Sequence, residues 1–428
     1  MNNPYAFREI GIGHYPLGIY DVGDKRVEDL MKLGDENLKS KLLYVHIPFC
    51  QSICPFCPYP KAIHNEGVKY NYLTALMREI DLYAQQPHIS VNNIEAIYFG
   101  GGTPSILTES EIEALFKKLK DALNIETVEE ITFEGNPASF TREKVKLLKS
   151  LGVNRISLGV QTFNDELGER LGLIQKEKNS VDAIEWCKKE GIDNISIDLM
   201  YNLPGQTVEE WVEDIEKVAA YGIHHVSLFP LKVIPVFKLF KLIQAGEVSP
   251  CGSLEFEEEL FETAATMLED EGYKPESTYD FVLPGKEHLY SRKHFRGFMD
   301  ILALGMGAFG EINGCVYQNV MSITEYMGKV SSSQLPVVKW YQVTEKDLPN
   351  RYLTMGFRLL EVDRLDFFNK FGVDPEIKFK EIFEKLYSNG LLEAVGQKIR
   401  LTKRKGVFWG NNICKEFCIE IFRNAFPK

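Results

Sequence analysis

Residues 41 to 234 alternate between short apolar runs and longer amphipathic segments, and this alternation limits the possible folds more than any other feature. The apolar runs predict strands at 42–47, 95–99, 130–134, 155–160, 194–199 and 224–229. The amphipathic segments predict helices at 68–86, 108–123, 141–151, 179–190 and 207–221. Strands that alternate with helices pair in parallel through right-handed crossovers. Because ligands gather at the carboxyl ends of such strands, we expect a functional site at that edge.

Three cysteines lie just behind the first predicted strand. Cys50, Cys54 and Cys57 form a C-x3-C-x2-C triplet. Clustered thiolates are the ligands of an iron–sulfur cluster or of zinc, and three of them leave one position of a metal centre open. Two alternatives remain: a structural zinc ion with His64 as the nearest further ligand, and three cysteines that pack as small buried side chains.

The composition narrows the classes of function. The chain has 428 residues, enough for two or three structural units, and a hydrophobic content of 44% supports a large core. A net charge of −12 argues against nucleic-acid binding, which favours a basic surface. No apolar stretch approaches the ~20 residues of a membrane span, and the N-terminus lacks a secretory pattern, so we expect a cytoplasmic protein. The other cysteines are scattered, as in a reducing compartment, at positions 187, 251, 315, 414 and 418.

The run from Tyr44 to Cys57 resembles the signature of the radical S-adenosylmethionine (SAM) enzymes. The resemblance is to their HemN-like branch, which includes oxygen-independent coproporphyrinogen III oxidase, HemW-type proteins and class C radical SAM methylases. Further motifs follow in the family's order at Tyr98–Pro104, Thr132–Pro137, Ser157–Asn164, Ile197–Thr207 and Gly305–Ala308. The similarity extends over most of the chain.

The resemblance implies an α/β fold, a partial (β/α)6 barrel of the radical SAM type with a small C-terminal winged-helix-like domain. It divides the chain into an N-terminal arm at 1–40, the barrel at 41–235, a substrate-facing barrel extension at 236–320 and the C-terminal domain at 321–428. A hairpin signal around Gly396 agrees with the outline of the last domain.

The resemblance also assigns cofactors to residues. Cys50, Cys54 and Cys57 would hold a [4Fe–4S] cluster, whose open iron would bind SAM for reductive cleavage to methionine and a 5′-deoxyadenosyl radical. The other residues implied to contact the cluster or SAM are Tyr44, Phe56, Gly101, Gly102, Thr103, Glu134, Gln161 and Asp198.

The residue types at these positions suit such roles. Glycines let a backbone approach a ligand closely, and Gly100–Pro104 lacks the spacing of a Walker or Rossmann loop. Glu134 and Asp198 each close an apolar strand, where a buried carboxylate needs a polar partner such as a ligand. The alternatives are a packing role for Tyr44, a turn without a ligand at Gly100–Pro104, and a salt bridge for Asp198.

Three places depart from the family pattern. Leu173 stands where the family often has an arginine that contacts SAM, Asn202 replaces a glycine, and Pro58–Lys61 replaces a Gly-Cys-Asn run. These changes weaken a direct assignment as coproporphyrinogen oxidase, and they leave SAM cleavage untouched.

We therefore expect a radical SAM enzyme that acts on a planar, tetrapyrrole-like or hydrophobic small molecule. In one form of this chemistry a second SAM donates a methyl group. Oxidative decarboxylation of coproporphyrinogen III and haem chaperoning of the HemW type are the alternatives. The expected partners are the substrate and an electron donor such as flavodoxin or ferredoxin, without nucleic acid.

Overall fold

Eighteen strands are present in the part of the chain that the computed structural model describes, which is residues 20–21, 40–86, 89 and 93–418. In chain order they are β1 (Tyr20–Asp21), β2 (Lys41–Ile47), β3 (Phe49–Cys50), β4 (Ala62–Ile63), β5 (Ile94–Gly101), β6 (Glu130–Gly135), β7 (Arg155–Gln161), β8 (Asn194–Tyr201), β9 (His225–Pro230), β10 (Lys274–Pro275), β11 (Asp280–Val282), β12 (Asp300–Leu304), β13 (Phe309–Ile312), β14 (Cys315–Asn319), β15 (Val337–Gln342), β16 (Glu361–Asp363), β17 (Leu392–Val395) and β18 (Lys398–Leu401).

The helices of the described residues separate these strands. They are α1 (Glu66–Ala84), α2 (Glu109–Ala122), α3 (Arg142–Ser150), α4 (Asp165–Arg170), α5 (Glu177–Lys189), α6 (Val208–Ala220), α7 (Lys238–Gln244), α8 (Leu254–Asp270), α9 (Leu289–Phe295), α10 (Ile323–Ser331), α11 (Leu348–Arg358), α12 (Arg364–Phe371), α13 (Pro375–Lys378), α14 (Lys380–Ser388), α15 (Lys405–Phe408) and α16 (Gly410–Glu416). Short 3-10 turns follow β5 and β6 at Pro104–Ile106 and Pro137–Ser139.

One 13-stranded sheet forms the centre of the molecule, in the order β1-β15-β14-β13-β12-β2-β5-β6-β7-β8-β9-β11-β10. From β2 to β9 every neighbouring pair is parallel, so the six predicted strands pair in chain order. The sheet does not close on itself among the described residues, which agrees with a partial barrel. The predicted α/β fold class is therefore confirmed.

Side-chain caps set the starts of two crossover helices. Thr108 and Glu111 form a reciprocal capping box at the start of α2, and Thr207 and Glu210 do the same for α6. Both boxes follow the Thr-x-x-Glu pattern, which satisfies two backbone donors that a helix start would otherwise leave free. These caps therefore set the residue at which the loop after the preceding strand ends and the helix begins.

The segment after β9 combines helices with further strands of the central sheet. It contributes the helices α7 and α8. It also contributes β11, which pairs antiparallel with β9, and β12, which pairs in parallel with β2 on the side away from β5. Strand β12 places Asp300 opposite Lys41, the first residue of β2. The strand that leads to the cysteine triplet is therefore an interior strand, flanked by β12 and β5.

The C-terminal part contains a three-stranded antiparallel sheet, β16-β18-β17, with helices around it. Strands β17 and β18 form the predicted hairpin, whose turn holds Gly396 at φ +61°. Helix α11 packs against α16. A buried bidentate ion pair joins Arg351 of α11 to Glu311 of β13, with both N–O distances 2.5 Å.

We expect Arg351→Met to lower the free energy of unfolding by about 3–5 kcal/mol, because it leaves the buried Glu311 carboxylate without its partner. Urea denaturation followed by circular dichroism measures this loss. The control is Lys117→Met, which breaks an exposed pair with Asp121 and should cost less than about 1 kcal/mol. Equal losses of unfolding free energy in the two variants would contradict the stabilising role that we assign to the ion pair between Arg351 and Glu311.

Candidate cluster and SAM site

The register of the parallel strands carries the predicted motifs to one edge of the sheet. Ile47, the last residue of β2, lies opposite Gly101, the last residue of β5. Farther back, Tyr44 lies opposite Tyr98, and their rings stack with centroids 6.1 Å apart. The cysteine triplet and the glycine turn therefore leave the sheet side by side.

The loop that carries the cysteines is held at several points. The backbone N–H of His64 donates to the Cys50 carbonyl at 2.8 Å, and that of Leu239 donates to the Pro55 carbonyl at 3.0 Å. Within the loop, the Cys57 N–H donates to the Cys54 carbonyl at 3.2 Å. The loop thus has a defined path between β3, β4 and the start of α7.

The three thiols are free and partly buried. Burial raises the pKa of Cys54 to about 11, and the neighbouring sulfurs of Cys57 and Cys50 raise it further. The Thr103 hydroxyl donates to the Cys50 sulfur at 3.4 Å, which brings the end of the glycine turn to the first cysteine. Partly buried thiols that influence one another suit a positively charged iron–sulfur core, which would stabilise their ionised form.

No three His, Cys, Asp or Glu side chains converge on a single ion among residues 40–86, 89 and 93–418. A cubane cluster distributes its cysteine ligands over different irons, so its ligand sulfurs lie farther apart than those around one ion. The His64 side chain, the nearest further zinc ligand, pairs instead with Glu66 at 3.2 Å. The donor set therefore fits a cluster better than structural zinc.

The glycine turn packs closely on β2. Gly101 has φ +115°, and a Cβ added there would lie 2.6 Å from the His46 ring. A Cβ on Gly102 would lie 2.6 Å from the backbone carbonyl of Pro48. Packing within the chain therefore explains both glycines, and their contact with SAM stays a prediction.

His46 connects β2 to the end of the cysteine loop. Burial lowers its pKa to about 4, so the ring is neutral. Its Nε2 lies 3.0 Å from the carbonyl of Pro60, which can only accept, so Nε2 carries the proton. Its Nδ1 then accepts from the Tyr44 hydroxyl at 3.1 Å. Tyr44 is thus occupied by a contact within the chain, which supports the packing alternative for this residue.

Glu134 lies beside the glycine turn. Its carboxylate accepts from the Tyr98 hydroxyl and from the backbone N–H of Gly101. Burial raises its pKa, and these hydrogen bonds together with the charge of Arg155 oppose the rise. The carboxylate therefore has polar partners within the chain, and its contact with SAM stays a prediction.

Asp198 lies inside β8, three residues before its end at Tyr201, and not at the strand end that the sequence suggested. It is opposite Gly159 on one side and Ser227 on the other. Burial raises its pKa to about 8, and the charges of Glu134 and Asp280 add to the rise. No described Lys, Arg or His lies in salt-bridge range of its carboxylate, so the salt-bridge alternative finds no support there.

We expect Asp198→Asn to change how stability depends on pH. The folded pKa of Asp198 is about 8, against an ordinary value of 3.8, so the unfolded chain ionises this group first. Its contribution to stability is full below about pH 4 and is lost as the pH rises through about 8. In urea denaturation of the cofactor-free protein, Asp198→Asn should gain stability relative to wild type between pH 5 and pH 8. A difference in the free energy of unfolding between Asp198→Asn and wild type that stays constant from pH 5 to pH 8 would contradict this ionisation.

Gln161 and Phe56 occupy different surroundings. Gln161 ends β7 with φ +69°, at an irregularity in the register with β8. Phe56 and Cys54 pack against a small apolar cluster that contains Leu173. The leucine that replaces the family's arginine is 7% exposed, so it extends the apolar support of the cysteine loop.

The sequence analysis did not identify several polar and aromatic residues that lie close to the strands of the central sheet. Arg155, the first residue of β7, is 2% exposed, and its Nε and Nη1 have no hydrogen-bond partner. His288 and Tyr290 stack near the Tyr98 ring, with centroids 5.5 Å from it. The one available signal was a charge at the start of an apolar strand, as in Arg155-Ile-Ser-Leu.

None of the described helices has the length and apolar character that a membrane crossing requires.

Comparisons with known proteins agree with this arrangement. The profile of the Radical SAM superfamily matches residues 44–218. The chain is 31% identical to the haem chaperone HemW of Lactococcus lactis, over 89% of this chain and 98% of that protein. It is 28% identical to the anaerobilin synthase of Escherichia coli, over 88% of this chain and 83% of that protein.

Among solved structures, the chain resembles coproporphyrinogen III oxidase (HemN) of Escherichia coli. The TM-score is 0.83 at 24% identity, over 94% of this chain and 95% of that one. This likeness shows the fold. The radical SAM superfamily uses a [4Fe–4S] cluster and SAM. With the superfamily profile over the barrel and a 31% identical relative matched over nearly its whole length, the chain belongs to the radical SAM superfamily, in its HemN-like branch.

Proposed function

We propose that the chain binds its [4Fe–4S] cluster through Cys50, Cys54 and Cys57 and acts as a radical SAM enzyme on a tetrapyrrole. One observation supports this site. Three partly buried thiols, which influence one another's pKa, follow β2 in the chain and lie beside the glycine turn at the end of β5. When bound, the cluster supplies the electron that cleaves SAM into methionine and a 5′-deoxyadenosyl radical. We expect a flavodoxin or ferredoxin to deliver that electron.

The residues around the cysteines have separate roles in this proposal. Gly101, Gly102 and Thr103 form the wall against which the methionine end of SAM lies. Glu134 and Gln161, at or near the ends of neighbouring strands, accept from or donate to SAM. Phe56 keeps water from the cysteine loop, since it packs with Cys54 against the apolar cluster. Asp198 lies deeper and contacts a ribose or a second SAM.

The surroundings of the loop support a planar, largely apolar substrate. Tyr59 is 59% exposed and Met321 52%, both close to Pro60 at the end of the cysteine loop. From the segment at 236–320, His288 and Tyr290 add aromatic rings beside Tyr98, which supports a substrate-facing role for this segment. The names of the relatives point to tetrapyrroles, since they include a haem chaperone and coproporphyrinogen III oxidases.

The experiment incubates anaerobically reconstituted protein with SAM, dithionite and either haem or coproporphyrinogen III. A changed porphyrin mass, together with 5′-deoxyadenosine, supports the enzyme. Methyl-deuterated SAM then separates the chemistries: label in the product with S-adenosylhomocysteine indicates methylation, and carbon dioxide without label indicates decarboxylation. Cys54→Ala is the control without a cluster. If 5′-deoxyadenosine forms but neither porphyrin changes, the substrate proposal fails and SAM cleavage stands.

A second function, haem chaperoning, is favoured by the identity to HemW over 98% of that protein. It predicts that the chain binds haem stoichiometrically and passes it to an acceptor protein without consuming SAM. Absorbance titration with haem, alongside measurement of 5′-deoxyadenosine, distinguishes the two. Tight haem binding without SAM cleavage would replace the enzyme proposal.

A further inference from the structure

Lys61 lies four residues after the last cysteine and folds back on the cysteine loop. Its Nζ donates to the carbonyl of Cys57 at 2.6 Å and to the carbonyl of Tyr59 at 3.1 Å. Its ammonium also lies 5.7 Å from the centre of the Phe237 ring. The side chain is therefore fixed on the backbone of a proposed cluster ligand and is not free in solvent.

The charge of Lys61 has no carboxylate partner within salt-bridge range in the described part of the chain. Two other lysines that are partly or fully buried are paired with carboxylates: Lys232 lies 3.0 Å from Glu257, and Lys69 lies 3.0 Å from Glu111. Two carbonyl oxygens solvate the Lys61 ammonium but do not cancel its charge. A net positive charge thus remains beside the loop.

This charge lies next to the triplet. The carbonyl that accepts from the Lys61 ammonium at 2.6 Å belongs to Cys57, one of the proposed cluster ligands. A fixed positive charge this close favours any negative charge that is added at the same place. Reduction of an iron–sulfur cluster by one electron adds such a charge.

We propose that Lys61 raises the reduction potential of the cluster by placing an uncompensated positive charge on the backbone of its ligand loop. The inference rests on the proposed cluster site and goes beyond it, because it assigns a tuning role to a residue that is neither a ligand nor a SAM contact. The reduction potential of such clusters depends on the nearby charge and on solvent exposure.

The test measures the midpoint potential of the reconstituted cluster by anaerobic titration with dithionite, followed by the electron paramagnetic resonance of the reduced form. Lys61→Gln keeps a hydrogen-bond donor and removes the charge, so its midpoint should move to more negative potential. Lys61→Arg keeps the charge and should stay near wild type. Lys238→Gln is the matched control, because it removes an exposed positive charge at the start of α7, close to Phe237.

The outcomes separate this inference from the cluster proposal. A wild-type chain without iron would overturn the cluster site itself. A Lys61→Gln protein that holds iron and titrates at the wild-type midpoint would overturn only the tuning role. The midpoint does not depend on the fraction of chains loaded, so partial loading still gives a result. If Lys61→Gln takes up no iron while Lys61→Arg does, Lys61 holds the loop together and the tuning role is rejected.

Discussion

Cys54→Ala is expected to leave the protein without its iron–sulfur cluster, and Cys50→Ala and Cys57→Ala should do the same. Wild-type protein reconstituted anaerobically should hold about four iron and four sulfide per chain, as a cubane cluster requires. Each variant removes one of three protein ligands, and two thiolates do not retain such a cluster. Iron and acid-labile sulfide analysis, with the visible absorbance of the cluster, measures the loss. SAM cleavage should fall below detection in the same samples.

Cys251→Ala is the matched control for this loss. Cys251 is partly buried and packs against the same apolar cluster as Cys54, yet it lies outside the triplet. It should keep its full iron content, as should Cys187→Ala at a buried site on α5. If Cys251→Ala lost as much iron as Cys54→Ala, the ligand assignment would be wrong.

Gly101→Val should weaken SAM binding by about tenfold or more, which corresponds to about 1.4 kcal/mol. The residue has φ +115°, and its new Cβ would lie 2.6 Å from the His46 ring, so the turn must move away from β2. Displacement of the turn separates Gly101 from Glu134, whose carboxylate accepts from its backbone N–H. Isothermal titration of the reconstituted protein with SAM measures the affinity.

Gly246→Val controls for the backbone strain alone. Gly246 also has a positive φ, +73°, but a Cβ there meets nothing within 4 Å. It should lose some stability and bind SAM as the wild type does. Both variants should keep their iron, because neither changes a cysteine. Unchanged SAM affinity in Gly101→Val would place the SAM pocket away from this turn.

The parallel strands were predictable because each one is an apolar run with its partners next in sequence. Strand β8 was expected at 194–199 and spans Asn194–Tyr201, and β5 was expected at 95–99 and spans Ile94–Gly101. Strand β12 was missed because its partner, β2, begins about 260 residues earlier in the chain. A local pattern identifies a strand, but it does not reveal a neighbour that far away.

The candidate site was predictable where its residues are consecutive. The cysteine triplet and the glycine turn are continuous runs, and the register places them side by side. Arg155 was not predictable, since a buried charge inside a strand looks the same in the sequence as an exposed one. His288 and Lys61 lie outside the strands, and their neighbours Tyr98 and Phe237 are far from them in the sequence. Their roles depend on what faces them from other elements, as Glu134 and Asp198 face Arg155.

The interior position of β2 has a consequence for how the protein is made. Its neighbour β12 is the last part of the parallel sheet to leave the ribosome, after residue 304. Until then one side of β2 exposes unpaired backbone groups, and the contact that completes it spans a large sequence separation, which slows folding. The cysteine loop is therefore synthesised long before its supporting strand is complete. We therefore expect iron and sulfide to reach a finished loop only once residue 304 has left the ribosome. Chains that end before residue 300 carry an open strand edge that favours aggregation.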